Sequence, residues 1–192
     1  AYAIEKGFNS EHDEKVIAES EEISRRGIKE EDMSGRRDFR GVTTFTIDPI
    51  DAKDFDDAIS YKALENGHIE IGVHIADVSF YVKEGSALDG EAVERQTSVY
   101  LVDRCLPMLP EVLSNDLCSL VEGKDRLTMA AVFEVDADCN VHNVWYGRTV
   151  INSNRRFTYE DAQDIMDNGT GLYYDELTNL NRLAKILKKK RF

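Results

Sequence analysis

Five aspartates fall within ten residues in the run Asp48-Pro49-Ile50-Asp51-Ala52-Lys53-Asp54-Phe55-Asp56-Asp57. Carboxylates gathered this closely repel one another, and a purely structural turn has no need of them. A hard divalent cation relieves the repulsion. Mg²⁺ takes oxygen ligands and keeps several of its waters, which suits it to chemistry on phosphate esters. Asp54 and Asp56 are two residues apart and share a side wherever the backbone is extended. Two plainer readings stand beside this one. Clustered aspartate commonly marks a solvated turn. A calcium-binding EF-hand loop starting at Asp54 would have Asp56 at its third position and Glu65 at its twelfth. It fails at the sixth, where Ile59 stands in place of the required glycine.

The flanking elements decide whether these carboxylates can meet. Residues 42–48, VTTFTID, have the β-branched density of a strand. Residues 58–64 and 68–77 read as two more strands, joined by a tight hairpin at Glu65-Asn66-Gly67. In the second of these, Ile69, Ile71, Val73 and Ile75 alternate with His68, Glu70, Gly72 and His74. Asp48 therefore ends one strand and Asp57 begins the next, and a returning loop brings both to one point. Further along, 78–82 reads as an extension of the sheet, and Ser86 as the cap of a helix over 87–95. Residues 98–103 read as a strand, and 127–136 with 141–151 as a second hairpin. Thr158 caps a short helix closed by Gly169, and 174–191 forms a longer one with Leu177, Leu180, Ala184 and Leu187 on one stripe. A weakly amphipathic helix over 11–26 precedes all of this. The order is helix, strands, then helices, which predicts an α+β fold with a mixed, largely antiparallel sheet and flanking helices.

Composition sets the bounds. The 192 residues include 24 Lys and Arg against 37 Asp and Glu, a net charge of −13, with 42% hydrophobic residues. That is enough apolar material for a core, and it excludes a disordered chain. No apolar run reaches the ~18 residues of a membrane span. Cys105, Cys118 and Cys139 are three and lack metal-site spacing, which predicts reduced thiols and a cytoplasmic location. The acidity is uneven: residues 41–102 carry 12 acids and 4 bases, whereas 103–192 carry 14 and 12. Lys185, Lys188, Lys189, Lys190 and Arg191 form a basic cluster, read first as the complement of a helix dipole and second as an RNA contact.

Three stretches in this order, TIDPIDAKDFDDAI, VHIADVSFYV and SVYLVDRCLPMLPEVLSNDLCSL, resemble the catalytic (RNB) domain of the ribonuclease II/ribonuclease R family. The style of DAKDFDDA and VHIADVS is closest to its bacterial ribonuclease R branch, and the eukaryotic exosome nuclease shares much of the pattern. The resemblance implies a 3′→5′ exoribonuclease that hydrolyses single-stranded RNA from its 3′ end to nucleoside 5′-monophosphates, with Mg²⁺ as cofactor and Mn²⁺ as a substitute. It implies that Asp48, Asp54 and Asp57 hold metal and that Asp56 orients the attacking water. Asp51 falls outside the motif and is read as a solvated turn residue. Tyr100, which on its own reads as a core or interface tyrosine, matches the family aromatic that packs against a base near the 3′ end. His74 and Asp77 are read as supporting residues. Asn115 and Asp116 are candidates for approach to the site, and Arg155 and Arg156 read equally as phosphate contacts or as a solvated pair.

By the same resemblance, residues 1–36 are a helical lead-in and 37–192 the N-terminal portion of the catalytic domain. Family members are several-fold longer, with OB-fold RNA-binding domains on either side, and their downstream arginine and glutamate have no counterpart here. The chain is therefore expected to be a fragment of weak or no activity by itself. A non-catalytic RNA- or metal-binding module that keeps the nuclease fold is the alternative. Four intact motif aspartates favour the enzyme.

Overall fold

The computed structural model describes residues 11–102 and 104–191. The expected features at residues 1–10, Asp103 and Phe192 lie outside the described residues. Helix α1 (Glu14–Arg26) and a single turn, α2 (Glu30–Met33), precede strands β1 (Arg37–Asp38), β2 (Thr43–Asp48), β3 (Asp57–Ala63) and β4 (Ile69–Ala76). Helices α3 (Val78–Tyr81) and α4 (Ala87–Arg95) follow, then the short strands β5 (Val99–Tyr100) and β6 (Cys105–Leu106) and a π-helical turn at Leu113–Leu117. The chain continues through β7 (Asp125–Val135), β8 (Val141–Asn152), β9 (Arg155–Thr158), α5 (Tyr159–Asn168) and α6 (Tyr174–Arg191).

Seven strands form one sheet in the order β1-β8-β7-β4-β3-β2-β9. The five central strands pair antiparallel with one another, and parallel pairings of β1 with β8 and of β2 with β9 close the two edges. The fold is thus α+β with a largely antiparallel sheet. Local chemistry explains much of it. Gly67 takes a positive φ of 82° in the β3–β4 turn, where a side chain would be strained. Ser86 accepts a hydrogen bond from the Asp89 amide at the start of α4. Thr158 and Asp161 form a reciprocal capping box on α5, which Gly169 ends in the left-handed region.

Helices cover both faces of the sheet. On one face Val16 of α1 and Leu88 of α4 pack with Phe39, Leu113, Leu120, Val132 and Ile151. On the other, α5 and α6 cover Phe45 and Phe157 through Ala162 and Leu177, and Leu183 of α6 seals against Ile69, Val135 and Cys139.

Three local expectations are corrected. Residues 78–81 are helical, because Asp77 leaves the sheet and Phe80 donates back to its carbonyl. Burial of Tyr81 against the main core overrides the β-propensity of VSFY. The expected strand over 98–103 shrinks to Val99–Tyr100, paired only with Cys105–Leu106. On α6 the buried residues are Leu177 and Leu183, whereas Ala184 and Leu187 face solvent. The helix passes from one hydrophobic cluster to another, so its buried stripe turns around it.

Candidate nuclease site

Asp48, the last residue of β2, is buried beside the β9 end, in register with Thr158. Its Oδ2 has no hydrogen-bond partner. Beyond it the chain turns at Pro49, whose carbonyl accepts from the Ala52 amide at 3.1 Å. Arg156 Nη2 then ties the turn to β9, donating to the Pro49 carbonyl at 2.6 Å and the Ile50 carbonyl at 3.2 Å. Its guanidinium lies over the Phe55 ring, 5.5 Å from the centroid.

Phe55 is fixed from the opposite side. Its amide donates to Ser119 Oγ at 3.0 Å, and its carbonyl accepts from the Leu120 amide at 2.8 Å. The Asp56 carbonyl accepts from the Ala76 amide at 3.0 Å, which starts the β3–β4 ladder that places Asp57 opposite Ile75. The loop is thus held at both ends and at its middle through backbone groups.

Their electrostatics record that proximity. Burial raises the Asp48 pKa above the ordinary carboxylate value, with repulsion from Asp57 and Asp54 adding, and the Thr46 hydroxyl and Arg156 partly offsetting. Asp56 is exposed, yet surrounding protein still desolvates it enough to raise its pKa, and repulsion from Asp54, Asp57 and Asp48 pushes the same way. Tyr100 is 72% exposed, which removes the core reading for it. Its phenol pKa is raised first by the charge of Asp54, then by partial burial, with Cys105 and Asp56 contributing. Asp48, Asp54, Asp56, Asp57 and Tyr100 are therefore electrostatic neighbours. Asp51 stands exposed on the turn.

Among the described residues, no three His, Cys, Asp or Glu side chains are drawn into a metal-ligating group. The donor chemistry nevertheless fits a hard cation: four oxygen donors that repel one another, one of them with a buried oxygen lacking any partner. A Mg²⁺ or Mn²⁺ ion would answer both features.

The other candidates separate. His74 is fully buried, with Nε2 bonded to Ser60 Oγ at 2.9 Å and Nδ1 to Thr149 Oγ1 at 3.1 Å. Burial pushes its pKa down to about 4, so it is a neutral structural residue. Asp77 is buried and accepts from Arg36 Nη2 at 2.7 Å and from Ser79 Oγ at 2.7 Å. Asp116 turns to Arg126 and Lys124 rather than to the carboxylates, and Arg155 lies near Glu122. Ser119 was missed by sequence reasoning, because a serine inside a leucine-rich run gives no sign that it receives a loop amide. Arg156 was seen as a phosphate contact or a solvated cation, and it proves to be a brace for the loop.

An RNB domain model matches residues 36–192. The chain belongs to the RNB-domain family. It is similar to ribonuclease R of Thermotoga maritima, at 48% identity over 186 residues, covering 94% of this chain and 26% of that protein. The RNB chain thus spans about a quarter of the length of that relative. Among solved structures it is similar to Mycoplasma genitalium RNase R in complex with ribose-methylated single-stranded RNA. The TM-score there is 0.86 at 28% identity, with 98% of this chain and 30% of that one covered. Yeast Ssd1, a pseudonuclease, shares the fold at a TM-score of 0.76 and 24% identity, over 85% of this chain and 20% of its own.

Proposed function

We propose that this RNB chain carries the metal-binding part of a 3′→5′ exoribonuclease centre that acts on the 3′ end of single-stranded RNA and releases nucleoside 5′-monophosphates. The reading is supported by the electrostatic coupling within the loop, where Asp48 feels Asp57 and Asp54, Asp56 feels Asp54, Asp57 and Asp48, and the exposed Tyr100 feels Asp54 and Asp56.

Asp48, Asp54 and Asp57 would hold Mg²⁺, with Mn²⁺ as a substitute. When bound, the ion supplies charge neutralisation at the phosphate and an acidified water. Asp56 is exposed and near the other three, and its raised pKa suits a group that orients a water and accepts its proton. Tyr100 offers its ring face to a terminal base, which serves a sequence-tolerant nuclease because every base has a π-face. Phe55 and Arg156 keep the loop from spreading. Cys105, Cys118 and Cys139 are free thiols, in keeping with a cytoplasmic setting. Among the described residues, no helix is long and apolar enough to cross a membrane.

The second reading, a non-catalytic RNA- or metal-binding module, draws support from the pseudonuclease that shares the fold. The chemical argument against it is that such a module has no need of four mutually repelling carboxylates. Incubation with 5′-labelled single-stranded RNA and Mg²⁺ or Mn²⁺ tests the choice. Slow shortening from the 3′ end, with mononucleotide 5′-phosphates as product and complete arrest by chelator, is expected. Metal-saturated chain that binds RNA and releases no mononucleotide would favour the module.

A further inference from the structure

We infer that the outer face of α6 is an RNA-backbone groove, separate from the aspartate site, formed by Arg182, Lys185 and Lys189. A groove of about 430 Å³ runs along the helix, lined by Thr178, Asn181, Arg182, Lys185, Ile186 and Lys189. Its lining holds three cations, two neutral hydrogen-bonding side chains and no acid. In a chain of net charge −13, that local balance is opposite to the whole.

The bland explanation is the helix dipole, and it covers only part of the observation. Lys188, Lys189, Lys190 and Arg191 occupy the last turn. A C-terminal dipole acts on charges within that turn. Arg182 and Lys185 lie well before it. Ion pairing does not account for Lys185 and Lys189 either, because neither forms a salt bridge among the described residues. Both are exposed.

The helix is also held rigidly enough to present a fixed row of charge. Leu177 and Leu183 anchor its inner side in two hydrophobic clusters. At the far end, Arg182 Nη1 donates to the Ala137 carbonyl, and Lys190 Nζ donates to the Asp138 and Cys139 carbonyls at 3.1 and 3.2 Å. These bonds fasten α6 to the β7–β8 turn, so its basic end is not a loose tail.

A linear polyanion matches this surface: cations one helical turn apart along one side, with Thr178 and Asn181 as neutral donors. The proposal rests on the exoribonuclease reading only for the choice of RNA as that polyanion.

Fluorescence anisotropy of 5′-labelled oligouridylate, across a salt series in EDTA, isolates the groove from metal-dependent contacts. Lys185→Ala/Lys189→Ala is compared with Lys15→Ala/Lys62→Ala, which removes the same charge from other exposed positions. Loss of two phosphate contacts lowers the slope of log K against log salt by about 1.4, and weakens binding on the order of tenfold at ~0.05 M salt. The control pair is expected to bind like wild type. Unchanged affinity and slope in the groove variant would overturn the proposal and leave an acidic polypeptide as the occupant of this face. An equal loss in both variants would also overturn it, as a net-charge effect. Failure of the exoribonuclease reading is seen separately, as absent mononucleotide release with groove binding intact.

Discussion

The Phe55 amide donates to Ser119 Oγ at 3.0 Å, and together with the bond from the Leu120 amide to the Phe55 carbonyl it pins the aspartate loop between Asp54 and Asp56. Ser119 is fully buried. Ser119→Ala leaves the Phe55 amide without its acceptor and is expected to destabilise the fold by about 1–3 kcal/mol. The two carboxylates flanking Phe55 lose one of the two fastenings of that residue, the Leu120 bond remaining, so Mn²⁺ affinity should fall along with stability. Urea unfolding and Mn²⁺ titration on the same variant check both. Full metal affinity in a destabilised variant would show that the loop holds its shape without Ser119.

How much of this was legible beforehand differs by element. The β3–β4 turn, the Ser86 cap and the Thr158–Asp161 box were readable, because each is settled by residues within a few positions of one another. The aspartate loop stands out in the sequence as a candidate site because its residue types carry the chemistry themselves. The parallel edge pairing of Phe45 with Arg155 was not readable, since it joins residues more than a hundred apart. Nor was the helix at 78–81, where burial of Tyr81 decides against local propensity. Ser119 and Arg156 act on the loop through backbone atoms, and a backbone contact leaves no pattern in the side-chain sequence.

Arg36 and Asp77 form a buried ion pair at 2.7 Å. Burial opposes ionisation of Asp77, but hydrogen bonds from Ser79 and Arg36 outweigh it and keep its pKa below the ordinary value. Arg36→Met strands the carboxylate and is expected to destabilise the protein by about 3–5 kcal/mol. Adding Asp77→Asn removes the stranded charge and should recover much of the loss in a double-mutant cycle. Strict additivity of the two changes would contradict the pairing.

Gly72 leaves room for the His74 ring, two residues along the same face of β4, and for Ser60 on the neighbouring strand. A Cβ at position 72 would press on Ser60 Oγ and His74 Nε2, in the middle of the buried hydrogen-bond set. Gly72→Ala is expected to destabilise by about 1–3 kcal/mol through overpacking. Chemical denaturation measures it, and a neutral or stabilising result would contradict the tight approach.

His74 also gives the fold a pH dependence of definite sign. Its pKa is about 4 in the fold and 6.5 at its ordinary value, so the native state holds fewer protons between these limits. The contribution is fully present above pH 6.5 and is lost as pH falls toward 4, on the order of 3 kcal/mol in all. Unfolding free energies at a series of pH values, compared between wild type and His74→Gln, read it directly. The wild type should lose stability more steeply over that window, and parallel curves would contradict a neutral buried histidine.

The central claim is that the four carboxylates form a metal-dependent hydrolytic site with divided roles, and Asp56→Asn tests it most directly. Single-turnover release of the 3′ nucleotide from single-stranded RNA is measured in Mn²⁺, beside RNA binding in Ca²⁺. Loss of a group that orients the attacking water lowers the rate about 10²–10⁴-fold and leaves RNA affinity nearly unchanged. Asp48→Asn, a lost metal ligand, should instead recover partly with excess Mn²⁺. If Asp56→Asn abolishes RNA binding as severely as cleavage, or regains full rate with added metal, Asp56 is a ligand like its neighbours and the assigned division of roles is wrong.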